Sequence, residues 1–373
     1  MKRIVIVCRG ILDGQASVAR VALRHAGALA RDYEVTLLTD GLDIPPPDGV
    51  QFQQIPAHSY SLLRRFAHVP NELSFVRGVR RALKRMPPAD LVLTHSHTAA
   101  ALAAAPLRLP HAVVTHGNIF DRPWGTFDPL ITILYRWVEP RACRRADFVI
   151  ALAPSMVQAA LDNGARPENV VLIPNGIDVD AYAEAPPQIT SDEPLRLLFI
   201  GRLGVEKGVD LLLDACAIAK LRGVLVHLDV VGGGPLADDL RRQADRIRLD
   251  DVVTFHGQQP HEALRRFRAA AMAICVPSRS EAHPLVVLEA LASGRPILGT
   301  TAGGIPWVVN DGVNGVIVEP DANALAAGIE RMHRHRAELR AMAGRARASV
   351  ERFAWDAVGE QLRAVVGERL NGK

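Results

Sequence analysis

Two carboxylates and two cations carry the chemistry this sequence could perform. Glu281 and Glu289 lie in the stretch 278–294, Ser-Arg-Ser-Glu-Ala-His-Pro-Leu-Val-Val-Leu-Glu-Ala-Leu-Ala-Ser-Gly, which follows an apolar run at 272–276. The stretch passes through a polar turn into an apolar helix pattern that stops at glycine. A strand, loop and helix in that order aim free backbone N–H groups beyond a sheet edge, where an anion is favoured. Glu281 in the loop and Glu289 in the helix could then accept hydrogen bonds from hydroxyls of a ligand whose phosphates the helix start holds. Read singly, Glu281 also fits a helix cap and Glu289 a solvated helix position. Arg202 and Lys207 occur in Gly201-Arg202-Leu203-Gly204-Val205-Glu206-Lys207-Gly208, again after an apolar run. Two cations in such a loop can neutralise a leaving diphosphate, a task other enzymes give to a divalent metal. As a single motif the loop also reads as a plain strand-to-helix turn.

Short apolar runs alternating with amphipathic segments must position these groups, and that alternation predicts parallel sheets covered by helices. Strands are expected at 4–8, 34–39, 52–55, 91–94, 112–115, 148–151 and 170–173, and again at 195–200, 226–231, 253–256, 272–276, 297–299 and 315–318. Between the two sets, 183–194 is polar and proline-rich, as an interdomain linker is. The fold expected is α/β, two doubly wound Rossmann-like domains facing across a cleft, with a first domain at 1–182 and a second from 195. Gly232 and Gly233, in Val231-Gly-Gly-Gly-Pro235, would let a sugar or base approach the backbone, and Gly10 and Gly14 do the same after the first strand. His95, His97 and His116 cluster near the ends of two neighbouring strands. His116-Gly117-Asn118 reads as a hydrogen-bonding group at a strand's carboxyl end, and no metal site is expected from the cluster.

The 373 residues, 49% hydrophobic and 23% charged, give ample core for two soluble domains, and the net charge of +4 permits phosphate-bearing ligands or an anionic membrane surface. Cys8, Cys143, Cys216 and Cys275 are far apart and read as reduced, buried thiols of a cytoplasmic protein. Five apolar residues before Arg9 are too few for a leader, and Pro106, Arg108 and Pro110 interrupt the most apolar region. Between residues 62 and 85, Arg64, Arg65, Arg77, Arg80, Arg81, Lys84 and Arg85 stand against one acid, Glu72, with Phe66, Phe75, Val76, Val79 and Leu83 interleaved. This is either a solvated helix face or a basic amphipathic surface for peripheral association with an anionic membrane or for a phosphorylated acceptor. Nothing in it resembles a nucleic-acid reader with aromatic stacking residues, and no nucleic-acid partner is expected.

Together, Gly201-Arg202-Leu203 with Glu206-Lys207-Gly208, the glycine corner ending at Pro235, Glu281 with Glu289-Ala290-Leu291-Ala292-Ser293-Gly294, and Pro174-Asn175-Gly176-Ile177-Asp178 make the chain similar to the retaining glycosyltransferases of family four, which have the GT-B fold. The resemblance implies that Arg202 and Lys207 bind the diphosphate of a nucleotide-sugar donor, Glu289 the ribose hydroxyls and Glu281 the transferred sugar. It also implies that backbone amides near Pro284 and Leu285 hold sugar or phosphate oxygens, that His116 lies near the donor sugar, and that a final helix within 353–373 returns to the first domain. His283 and Pro284 stand where the family usually has an aromatic residue and a glycine, and Gly10 and Gly14 are separated where the family's glycines are often adjacent. His283 is accordingly a candidate substrate contact that bears on sugar identity, and Trp124 and Arg122 are candidates on the acceptor side. Asp178-Val179-Asp180 imitates a metal-binding pair but reads as a turn with capping aspartates.

The activity expected is retaining, metal-independent and cofactor-free transfer of a hexose or N-acetylhexosamine, from a UDP-linked donor, to a hydroxyl of a lipid-linked or envelope glycan or a small molecule. The alternatives are an epimerase or phosphorylase on the same architecture, or a non-catalytic nucleotide-sugar-binding subunit.

Overall fold

The computed structural model describes residues 1–9, 16–41, 45–56, 68–117, 129–185, 187–189 and 193–372. Described residues up to Gly176, together with those from Trp355 onward, form one unit, and Ile177–Ala354 form a second. The first unit holds seven parallel strands: β1 (Arg3–Val7), β2 (Glu34–Thr39), β3 (Val50–Gln54), β4 (Leu91–Thr94), β5 (His111–Thr115), β6 (Phe148–Ala151) and β7 (Val170–Leu172), in the order β3-β2-β1-β4-β5-β6-β7. The second holds six: β8 (Leu195–Ile200), β9 (Val226–Val231), β10 (Val253–Gly257), β11 (Ala273–Val276), β12 (Ile297–Thr300) and β13 (Gly315–Val318), in the order β10-β9-β8-β11-β12-β13.

Alternation along the central strands feeds two buried faces, which is why strands such as β1 and β11 read as nearly unbroken apolar runs. Ile4 and Ile6 pack with Leu37, Leu93, Val114 and Ile150 beneath the helices Ala16–Leu29 and Trp355–Asn371. Val5, Val7 and Val92 turn to the opposite face, against Phe75, Val79 and Leu83 of the helix His68–Arg85. In the second unit Leu195, Leu197, Leu228 and Cys275 face one side, and Leu198, Ile274, Val276 and Ile297 face the other, where Val287, Leu288 and Leu291 of the helix Leu285–Ala292 cover them. Strand β3, at the sheet edge, is mostly exposed and carries Gln51, Gln53 and Gln54, side chains that suit an edge.

The central strands set the switch point of each sheet. β1 pairs with both β2 and β4, and β8 with both β9 and β11, so each sheet has its topological switch at the carboxyl ends of its first and fourth strands. The boundary between units falls at Gly176, ahead of the expected 182, because the polar stretch that follows is bound to the second unit. Ile177 N–H donates to Phe353 O at 2.8 Å, Arg268 Nε meets Glu184 at 3.1 Å, Arg295 donates to Ala185 O at 2.8 Å and Arg340 to Ile189 O at 2.8 Å. The buried guanidinium groups of Arg268 and Arg295 need acceptors, and the Glu184 carboxylate and the Ala185 carbonyl of this run supply them.

Candidate active site

The loop after β8 and the loop after β11 meet at the switch of the second sheet. After β8 the chain makes a short turn, Val205–Lys207, and enters the helix Val209–Leu221 through Gly208, whose φ is +66°. A Cβ at Gly208 would lie 2.0 Å from Pro277 O, so the absence of a side chain is what lets the two loops touch. Arg279 then ties them together: its N–H donates to Glu206 O at 2.8 Å, and its guanidinium makes two bonds to Asp210, at 2.6 and 2.7 Å.

Lys207 and Glu281, 74 residues apart in sequence, are brought into contact by this junction. Lys207 Nζ donates to Glu281 Oε1 at 2.6 Å, and the same oxygen accepts Ser278 Oγ at 2.8 Å. Ser278 is fully buried and its carbonyl accepts Thr300 Oγ1 at 2.6 Å, so the loop is anchored to β12 as well. Behind Glu281, Gly303 (φ +54°) comes so close that a Cβ would lie 1.7 Å from Glu281 O. Arg202 shares the corner, half-exposed, with Glu206 at 3.2 Å. Pro284 then opens the helix Leu285–Ala292, and among the described residues no side chain caps its first turn.

Glu289 is buried in that helix, and Tyr182 Oη donates to its Oε1 at 3.0 Å. Tyr182 Oη also lies 3.4 Å from His261 Nε2, and Arg268 sits over the tyrosine ring at 5.0 Å. Sequence reasoning missed Tyr182 and His261, and no spacing joins Tyr182 to a helix 107 residues further on. His283 packs its ring against Trp307 and Phe353, with centroids 5.2 and 5.3 Å away. Burial, with Arg352 nearby, pushes His283 down to about 3, so it is a neutral imidazole.

The glycines after β9 bring their backbone against the loop that follows β8. A Cβ at Gly232 (φ +145°) would lie 1.8 Å from Gly201 O, and one at Gly234 (φ +157°) 2.5 Å from Leu203 O, so the backbone that approaches these residues is the 201–203 corner. Gly233 contributes its carbonyl, which accepts Leu203 N–H at 2.9 Å. Asp178 Oδ1 accepts Ala181 N–H at 3.2 Å, and Asp180 pairs with Arg347 at 2.6 Å, the capped turn that the Asp-Val-Asp run suggests.

The first unit gathers its polar groups at its own switch. His95, which follows β4, puts Nδ1 2.8 Å from Nε2 of His116, which follows β5, and His25 lies beside His95 with ring centroids 5.2 Å apart. Burial pushes His116 down to about 3 and His25 and His97 to about 4, and drives His95 well below the usual range. Next to them Arg9, after β1, pairs with Glu72 at 2.7 Å and Asp40 at 3.4 Å, and Glu72 also accepts the Thr98 hydroxyl. This buried network was not foreseen, since its members come from four separate segments. Gly10, Gly14, Arg64, Arg65, Phe66, Arg122 and Trp124 lie outside the described residues. All four cysteines are buried and unpaired. Among the described residues, no helix is long and apolar enough to cross a membrane.

Comparison with known proteins agrees with this architecture. The profile described as "Glycosyltransferase Family 4" matches residues 18–181, and that of "Glycosyl transferases group 1" matches 168–349. A D-inositol 3-phosphate glycosyltransferase from Streptomyces scabiei is 30% identical over 363 residues, 88% of this chain and 80% of that protein. Among solved structures, sucrose-phosphate synthase from Thermosynechococcus elongatus superposes with a TM-score of 0.81 at 23% identity, covering both chains fully. Anabaena HepE in complex with UDP-glucose gives 0.77 at 20% identity, covering 99% of this chain and all of the other. Two parallel-sheet units, each with its polar loops at the switch, and matches running through both, show that this chain belongs to glycosyltransferase family 4 and is a glycosyltransferase of the GT-B fold.

Proposed function

We propose that the enzyme is a retaining, metal-independent transferase that moves a hexose or N-acetylhexosamine from a UDP-linked donor to a hydroxyl acceptor. The observation that carries this reading is the junction of Lys207, Glu281 and Ser278 beside the uncapped start of the helix Leu285–Ala292. When the anomeric carbon–oxygen bond breaks, its electron pair goes to the diphosphate, and the sugar becomes oxocarbenium-like. Lys207, Arg202 and the amides following Pro284 would stabilise the first charge and Glu281 the second. A diphosphate reaching Lys207 competes with Glu281 for the ammonium, so the carboxylate holds the lysine in position until the donor arrives. Glu289, with one oxygen already bonded to Tyr182, would take the ribose hydroxyls, and His116 would meet the donor sugar. HepE, with UDP-glucose bound, supports a UDP-sugar as the first donor to try. The named activity of the Streptomyces scabiei relative adds a phosphorylated polyol to the lipid-linked, envelope-glycan and small-molecule acceptors.

Arg202→Ala and Lys207→Ala should each lower turnover about a hundred- to thousand-fold, roughly 3–4 kcal/mol, with the fold intact. The assay uses UDP-, GDP- and ADP-sugars with and without chelator, reads the product's anomeric configuration by NMR, and adds inorganic phosphate in a separate arm. Near-normal turnover in both variants overturns the reading. Donor conversion without acceptor would indicate an epimerase, dependence on phosphate a phosphorylase, and binding without turnover a non-catalytic subunit.

A second reading concerns place. We infer peripheral contact with an anionic lipid surface, at the cytoplasmic face, through the helix Pro129–Arg145. Its exposed Leu130, Ile133 and Trp137 lie on one stripe, with exposed Arg136, Arg144 and Arg145 on the same helix.

A further inference from the structure

His95 and His116 are joined ring to ring, and the surroundings of His95 decide which way the proton lies. The rings stack at 5.0 Å with 28° between planes, and His95 Nδ1 and His116 Nε2 are 2.8 Å apart. Both imidazoles are neutral, since burial and the neighbouring histidines disfavour the charged forms. Each ring therefore has one N–H and one bare nitrogen, and a single proton occupies the bond between them. His95 Nε2 is buried with no hydrogen-bond partner. A bare ring nitrogen in that position loses an acceptor's solvation, whereas an N–H there would be an orphaned buried donor, which folded proteins rarely tolerate. The backbone fixes the ring's origin, because His95 N–H donates to Val7 O at 2.8 Å and Ser96 caps the turn that follows.

We infer that His95 is a positioning residue: it donates its Nδ1 proton to His116 Nε2 and so holds His116 as the Nδ1–H tautomer, with a hydrogen-bond donor ready for a ligand. No other protein hydrogen bond to the His116 ring is found among the described residues, and Nδ1–H is left to serve a sugar oxygen. That last assignment rests on the reading of His116 as a donor-sugar contact proposed above; the tautomer does not. His25, whose ring lies 5.2 Å from that of His95 with both ring nitrogens unpartnered, offers no competing bond.

The test starts with the unmodified chain and no ligand. Long-range proton–nitrogen correlation on protein labelled with ring-15N histidine, with the His116 signals identified by their loss in His116→Gln, should show Nδ1 protonated and Nε2 bare at neutral pH. Protonated Nε2 on His116 overturns the proposal whatever the enzyme's activity. His95→Asn keeps an N–H donor near the Nδ1 position, and His95→Leu removes it. The asparagine variant should preserve the tautomer and the rate of UDP release from UDP-glucose within about threefold. The leucine variant should give mixed tautomers and lose about tenfold in kcat at little-changed KM, the worth of one net hydrogen bond. Equal tautomer populations in both variants would also overturn the proposal. The expected tautomers combined with full turnover in His95→Leu would retain the His95–His116 bond and reject the assignment of His116 to the sugar.

Discussion

A carboxylate buried in an apolar helix needs donors, and the Tyr182 hydroxyl is one that reaches Glu289. Tyr182→Phe removes that hydrogen bond, together with the hydroxyl's 3.4 Å approach to His261, and keeps the ring. If Glu289 holds the ribose, UDP binding measured by calorimetry should weaken about tenfold, close to 1.4 kcal/mol for a bond to a charged group, with the melting temperature changed little. Unchanged UDP affinity would mean that Glu289 is held well enough by its other contacts or does not touch the nucleotide. Residues of this kind divide by how they could be read. Lys207 and Glu281 were legible because each sits in a strand–loop–helix corner whose composition announces anion chemistry. Tyr182 was not, because its partner lies 107 residues away and only the folding back of the 177–189 segment onto the second unit creates the contact. The Arg9–Glu72–Asp40 network hid for the same reason: each member looks like an ordinary surface charge until the sheet assembles.

At the scale of elements, the central strands among the described residues fall where apolar runs lie, since strands buried on both faces cannot be written in any other composition, and the exposed edge strand β3 carries glutamines instead. The basic segment before residue 85 shows what periodicity leaves open. On the helix His68–Arg85, Phe75, Val76, Val79 and Leu83 pack into the core, while Arg77, Arg80, Arg81, Lys84 and Arg85 remain exposed. Its apolar residues are thus already used, and the described part of this segment offers charge to a membrane but no apolar face. The helix Pro129–Arg145 does offer one. Ile133 is 64% and Trp137 46% exposed, Arg141 stacks on the Trp137 ring at 3.8 Å, and the helix's single acid, Glu139, is buried near His97. An apolar stripe on a helix that carries exposed arginines and, among its own described residues, no exposed carboxylate complements an anionic bilayer surface. Co-sedimentation should be strong with anionic vesicles, weak with phosphatidylcholine, and reduced at high salt. Exchanging Ile133 and Trp137 together for serine should lower the partition coefficient at least tenfold, given roughly 1.5–3 kcal/mol for a large apolar side chain fully buried. Equal recovery on neutral vesicles, or no response to the double substitution, would reject this face as the docking site.

Across the whole molecule the titratable groups are unevenly shared, and this sets how the two units respond to acid. His25, His95, His97 and His116 all lie in the first unit with their protonation strongly disfavoured, while the second holds His283 in that condition and His333 more mildly. In the unfolded chain each titrates near 6.5. Above that pH neither state binds the protons and nothing is lost. As pH falls below it, the unfolded chain takes up protons that the folded unit refuses, and stability drops by at most about 1.4 kcal/mol per pH unit for each histidine until the folded group also titrates, near 4 for His25 and His97 and near 3 for His116. His95 and His116 titrate as a pair, yet even three independent sites would remove some 4 kcal/mol per pH unit, a large part of a typical domain's 5–15 kcal/mol. The first unit should therefore become protease-sensitive between pH 6.5 and 5 while the second stays resistant, with the fragments identified by mass. His25→Phe replaces a buried imidazole whose nitrogens bond to nothing with a ring that has no proton to refuse, so it should flatten the first unit's pH dependence and leave the second unit's unchanged. If both units yield at the same pH, or His25→Phe leaves the slope as it was, the neutral histidine cluster does not govern acid stability.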